Sequence, residues 1–156
     1  LRIRESDPLE IFTDREGEII LKKYSPIGEM STFAKQYAES LAQVSGHTAL
    51  IADRDQFIAV SGGNKNLVGK GLSRELEDKI NNRETLIASK GEKGFIAISA
   101  EGTEEFVHEA VSPIICEGDV IGAVILAQSD EKAKMGEVEQ KLVLSAAGFL
   151  GRQMEQ

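Results

Sequence analysis

VSPIICEGDVIGAVILAQ, residues 111–128, holds two apolar runs separated by one turn signal. Ile114-Ile115-Cys116 and 120–127 flank Glu117-Gly118-Asp119. Glycine at the centre of such a turn supplies a positive φ at little cost, so the stretch predicts a β-hairpin. The second run is nearly unbroken Val, Ile, Leu and Ala. Such a run fits a strand covered on both faces, hence the middle of a sheet. Gly122 within it predicts a place where another backbone or side chain comes close.

Downstream of the hairpin, a long helix is predicted over 135–154. Met135, Val138, Leu142, Val143, Ala146, Ala147, Phe149, Leu150 and Met154 recur at helical spacing. This stripe is wider than one sheet face needs. Ala147 and Gly151, four apart, offer small side chains where another helix can approach. Self-association as a homodimer or homotetramer is therefore expected, through Phe33, Tyr37, Leu142, Ala147, Leu150, Gly151 and Met154. Pairing with the upstream helix of the same chain is the alternative, and both hold at once in a bundle of two helices from each copy.

That upstream helix begins at Ser25-Pro26, a cap followed by proline at the first helical position. Met30, Phe33, Ala34, Tyr37, Ala38, Leu41 and Ala42 follow at three- and four-residue spacing, and Gly46 is its expected stop. The β-rich runs 48–52 and 57–60 surround Asp53-Arg54-Asp55 and read as a second hairpin. Ser73 caps a short helix with Leu76 and Ile80 as its apolar positions. Residues 85–88 read as a short strand or loop, and 95–98 as a strand after the Gly91/Gly94 turn. The sum is an α+β fold: a six-stranded, mostly antiparallel sheet with two long terminal helices on one face, and a short helix and loops on the other.

The bulk numbers bound the rest. A chain of 156 residues is enough for one domain with a real core plus a small appendage. Hydrophobic residues make up 41% and charged residues 28%, a globular balance, and no apolar run reaches the roughly 18 residues of a membrane helix. One cysteine excludes a disulfide framework and fits a reducing compartment, so a cytoplasmic location is expected. A net charge of −8 argues against nucleic-acid binding by field alone. The chain opens Leu1-Arg2-Ile3-Arg4 with no initiator Met, and a preceding piece is expected. Residues 8–12 and 18–21 flank Asp14-Arg15-Glu16-Gly17 and read as a further hairpin, marginal unless it pairs with something else.

Two resemblances follow from particular residues. Asp53-Arg54-Asp55 followed by Ile58-Ala59-Val60-Ser61-Gly62, and Pro113-Ile114-Ile115 through Gly118 to Ile121-Gly122-Ala123-Val124, resemble strand motifs of GAF domains, the small-molecule sensor modules of many regulators. Asp7-Pro8-Leu9-Glu10-Ile11, with 17–27, resembles the second half of an AbrB-type swapped-hairpin DNA-binding domain. Met135-Gly136-Glu137-Val138-Glu139, Ala146-Ala147-Gly148-Phe149-Leu150 and 152–156 resemble the C-terminus of a family of sporulation transcription regulators that join these two units. The resemblance divides the chain into 1–24, the C-terminal half of the AbrB-type unit, and 25–156, a GAF-like sensor and dimerisation domain. It implies a non-enzymatic regulator of forespore gene expression that binds DNA in its intact form and answers to an unidentified small-molecule effector. Arg2 and Arg4 are the DNA-facing candidates within this chain. The alternative is a stand-alone sensor or protein-interaction module that does not touch DNA.

Few residues point to chemistry. Cys116 ends an apolar strand with no motif beside it and reads as a small buried side chain. His47 and His108 lack partners at ligand spacing, so no metal is expected, and no cofactor. Asn64-Lys65 opens a motif of cyclic-nucleotide-binding GAF domains whose remainder is unmatched. Gly62-Gly63 and Gly69-x-Gly71 lack the Lys-Ser/Thr of a phosphate loop. A pocket is expected under the short helix and loops, against the sheet face that the long helices leave free. Its expected liners, combining aromatic walls with polar handles, are Phe57, Ser61, Asn64, Phe95 and Ser112.

Overall fold

The computed structural model describes residues 9–13, 19–23, 27 and 31–155. Near the start, β1 (Leu9–Thr13) pairs antiparallel with β2 (Ile19–Lys23), Ile11 opposite Leu21. The predicted Asp14–Gly17 turn, Arg2, Arg4, the Ser25-Pro26 helix start and Met30 lie outside the described residues.

The main sheet has five strands: β3 (Thr48–Ala52), β4 (Phe57–Ser61), β5 (Leu86–Ser89), β6 (His108–Cys116) and β7 (Asp119–Gln128). Their order is β4-β3-β7-β6-β5 and every neighbouring pair is antiparallel. β7 is central, as its two-sided apolar run predicts. Its side chains alternate: Val124 and Leu126 face one layer, Ala123, Ile125 and Ala127 the other, and all five are fully buried. The turn into β7 has two residues, Glu117 and Gly118, with φ of 51° and 87°. Positive φ at both positions is the geometry that matches the twist of a hairpin.

The first layer is α1 (Ser31–Ser45) and α3 (Glu137–Gln153). They bury Ala34, Ala38 and Leu41, and Val143, Ala146 and Leu150, over Ile51, Ala110, Ile114, Val124 and Leu126. The second is α2 (Arg74–Asn81) with its flanking loops, which bury Leu72, Leu76, Ile80, Ile98 and Phe106 over Leu50, Phe57, Val111 and Ile125. No helix among the described residues is long and apolar enough to cross a membrane.

The sixth predicted strand, 95–98, is absent. The ladder it would join is replaced by side-chain carboxylates: Ile96 N–H donates to Glu109 and Ile98 N–H to Glu104. The segment is apolar enough to read as a strand, yet its donors are already taken.

Two glycines set how closely the layers approach. A Cβ on Gly122 would lie 2.1 Å from the Ala52 carbonyl oxygen, so the expected close approach is made by backbone. A Cβ on Gly151 would lie 2.2 Å from the Ile115 carbonyl oxygen. The small-residue approach expected between helices is thus made by α3 onto the edge of its own β6. Gly148, about one turn earlier on α3, faces open space.

This contrast is testable within one helix. Gly148→Ala should raise stability by about 0.5–1 kcal/mol through helix propensity alone. Gly151→Ala should lower it by about 3 kcal/mol, because backbone on one side and helix on the other leave the added methyl nowhere to go. Urea unfolding of both variants measures the two signs.

Candidate functional site

α2 and the segment 95–104 are built around Ser73. Its hydroxyl accepts the Leu76 N–H at 3.0 Å and so caps α2, and it donates to the Ala97 carbonyl at 2.6 Å. Its own N–H donates to the Ile98 carbonyl at 2.9 Å. One residue therefore fixes both the helix start and the segment lying across it. Ala100 N–H donates to the Gly71 carbonyl at 2.9 Å, and Leu72 bridges Ser99. Between the helix and the segment runs an open groove of about 600 Å³, lined by Ser73, Arg74, Glu75, Ser99, Ala100 and Gly102 among others.

Two glutamates hold the segment from below. Glu104 accepts the Ile98 and Ser99 N–H groups at 2.9 Å each, and the Ser99 hydroxyl. Burial raises its pKa, but the bonds from Ser99, Ile98 and its own backbone outweigh burial and hold the carboxyl below its usual range. Glu109, on β6, is 1% exposed and accepts the Ile96 N–H at 2.8 Å. Burial pushes it up to about 7, opposed by the Ile96 bond and aided by the charge of Glu104. Near neutrality Glu104 is an anion while Glu109 stands near half-ionisation.

A second cleft of about 260 Å³ lies beside α1, lined by Lys35, Glu39, Ile58, Ser61, Lys65 and Val68 among others. Of the five expected pocket residues Ser61 alone lines either of these two clefts, and it is this one. Phe57 is fully buried in the core beneath α2. A bulge sends it there: Ala59 pairs with Ile51 but Phe57 with Ala52, so Ile58 is the extra residue and strict alternation fails. Phe57 thereby joins Val60, and Ile58 packs with the opposite layer. Ser112 is buried and pairs with Val124, which places it with Ala110 and Ile114 under the long helices, the face opposite Phe57. Asn64 is exposed, at φ 52°, and Phe95 is half-buried where the segment begins. The five are not brought together.

Of the expected interface residues, Ala147, Leu150 and Gly151 are buried on the sheet of their own chain, spent on the monomer core. Phe33, Tyr37, Leu142 and Met154 are half-buried. Phe149, outside that set, stacks on Phe33 and Tyr37 with ring centroids 6.2 and 5.6 Å apart, so α1 and α3 do pair within the chain. Phe149 stays 42% exposed; on the same two helices Val138 is 66% and Val44 76% exposed.

Both histidines are buried and partnered. His47 Nδ1 accepts from the Gln128 amide at 2.8 Å while Nε2 faces Glu139 at 3.2 Å, joining the end of β7 to the first turn of α3. His108 Nδ1 accepts the Ser89 hydroxyl at 2.7 Å and Nε2 donates to the Glu131 carbonyl at 2.9 Å. Among the described residues no three His, Cys, Asp or Glu side chains converge as a metal site would need. Cys116 is half-buried rather than buried, and burial with Glu117, Glu155 and Asp119 pushes its thiol up, away from the reactive thiolate. Sequence reasoning did not find Glu104, Glu109 or Ser89. Their only signal is an acid or hydroxyl at an otherwise apolar or turn position, and its meaning depends on segments far away in the chain.

The layered sheet is that of GAF domains. The GAF domain of an Acinetobacter phosphoenolpyruvate-protein phosphotransferase matches 85% of this chain and 83% of its own at a TM-score of 0.65 and 14% identity. Free methionine-R-sulfoxide reductase from Thermoplasma acidophilum matches 82% and 94% at 0.62 and 13% identity. At such identities the likeness shows the fold alone. The particular family is shown by sequence. Residues 29–155 match the family described as stage V sporulation protein T C-terminal, transcription factor. Stage V sporulation protein T of Bacillus subtilis (strain 168) is 49% identical over 157 aligned positions, covering 100% of this chain and 86% of that protein. The chain belongs to the stage V sporulation protein T family.

Two substitutions test how the groove is held. Ser73→Ala should cost about 1–2 kcal/mol, since it removes a cap and a bond to the covering segment together. Glu104→Gln should be most harmful at neutral pH. A carboxyl held below its unfolded value near 4.5 contributes stability that is present above that value and is lost as pH falls through the folded one. Urea unfolding at pH 7 and pH 4 should therefore show the gap between parent and Glu104→Gln closing in acid.

Proposed function

We propose that this chain is the sensor and self-association part of a sporulation transcription regulator, with 1–24 contributing one half of an AbrB-type DNA-binding unit. Membership of a family described as a transcription factor carries this reading. The relative's name places that relative in sporulation, and identity across the whole chain supports the same role here. The antiparallel pairing of β1 with β2 is consistent with a hairpin that completes its unit with other chain. A net charge of −8 puts the DNA-contacting cations elsewhere than on the bulk of this chain, and a cytoplasmic location goes with the role. The same charge favours the second reading, an effector-binding or protein-interaction module that never touches DNA. The family role also favours a non-enzymatic protein, and the raised Cys116 thiol supports that.

Self-association is assigned to the ridge where α1 and α3 meet. Phe33, Tyr37 and Val44 on α1, and Val138, Leu142 and Phe149 on α3, recur at the same helical intervals and stay partly or largely exposed. A second copy covering this ridge would bury stacked aromatic rings, the residue type that dominates such contacts. Either cleft could take the effector.

Sedimentation should show a dimer or larger species. Val138→Glu, at a side chain 66% exposed and outside the ring stack, should drive it to monomer while leaving the chain folded. A parent that sediments as monomer at tens of micromolar overturns the assignment. For DNA, anisotropy of a labelled promoter fragment should show salt-sensitive binding by a protein carrying a complete AbrB-type unit ahead of this chain. Absence of binding by that protein at low salt favours the module that does not touch DNA.

A further inference from the structure

The groove beside α2 has a wall that is not held as a sheet edge is held. Residues 95–99 cross the β6 side of the sheet without a ladder, and Ile96 N–H is bonded only to the buried carboxyl of Glu109. Every element around that carboxyl is apolar or acidic. Ala88 of β5 and Ala127 of β7 flank Glu109 in the ladder. α2 turns Leu76 and Ile80 to this face, and the segment itself contributes Ile96 and Ile98. The connection 100–106 contributes Glu104, whose charge acts against ionisation of Glu109. Among the described residues no cation pairs with Glu109. A carboxylate in such a place has lost its water and gained one N–H in exchange.

We propose that Glu109 is a proton-operated latch on the groove: protonated, it holds residues 95–99 against the sheet, and ionised, it drives them off so that its carboxylate reaches water. Because Ser73 is bonded to both Ala97 and Ile98, release of the segment also parts it from the residue that caps α2, and the two walls of the groove separate. The direction follows from the sign of the shift. Glu109 binds its proton more tightly in the closed state, at about 7, than when opened to water, near 4.5. The closed state is therefore fully favoured below the lower value and weakens as pH rises through the upper one. This holds whatever the groove binds, and does not depend on the regulatory reading.

Amide hydrogen exchange in the whole chain tests it, with rates corrected for intrinsic chemistry at each pH. Between pH 5.5 and 8 the protection of the Ile96, Ile98 and Ser99 amides should fall about 30-fold in the parent, the ratio that those two pKa values give by linkage. In Glu109→Gln, which keeps an oxygen acceptor but cannot ionise, protection should stay level across the same range. Level protection in the parent, or an equal fall in the variant, overturns the proposal. Should the variant fail to fold, the carboxyl-carbon shift of Glu109 in the parent decides. A midpoint near 7 that coincides with loss of protection supports the latch, and a midpoint near 4.5 overturns it.

Discussion

β7 must be covered on both faces, and the architecture answers to that. A strand of Val, Ile, Leu and Ala carries no polar side to turn toward water, so each face needs its own layer. The two long helices supply one and the Leu76–Ile80 face of α2 with its loops supplies the other. Close backbone approach then follows. Gly122 lets β3 lie against β7 without a methyl between them, and Gly151 lets α3 rest on the β6 carbonyl. Removing apolar area from water at roughly 25 cal/mol per Å² drives this packing, and the glycines decide how near it can come.

The two layers differ in how they are fastened. The α1/α3 layer is held mainly by apolar contact, with one polar clasp at the Gly46 end, where Gln128, His47 and Glu139 meet. The α2 layer is held largely through polar groups: a serine cap shared with the covering segment, a carboxylate that gathers three donors, and a second carboxyl buried beneath. Directional bonds break singly, whereas an apolar interface gives way only as a whole. Local opening is thus directed to the α2 side, where the larger groove lies, while the aromatic ridge stays fixed.

Much of the fold is legible in the sequence because its signals are local. The hairpin of 111–128, the apolar spacing of both long helices and the Ser73 cap each depend on residues a few positions apart. The Phe95–Ile98 segment reads as a strand by composition and fails as one because Glu104 and Glu109 occupy its donors, a fact carried by residues further along the chain. The placement of Phe57 likewise depends on register. A single bulge residue, Ile58, reverses the face of Phe57, and alternation read outward from either end cannot reveal it. Ala147 and Gly151 state that something approaches closely but do not say what, and β6 proves to be the partner. Local chemistry specifies elements well, whereas identities across the sheet depend on register.

The contact between Gly151 and the Ile115 carbonyl limits how α3 can carry a signal. Sliding the helix along its axis by one turn would bring Ala147 to a place where not even a methyl fits. Piston motion is therefore blocked, and α3 must travel with β6 as one lever. Any displacement of β6 is passed to α3 as a tilt about the sheet rather than as a slide of the helix past it.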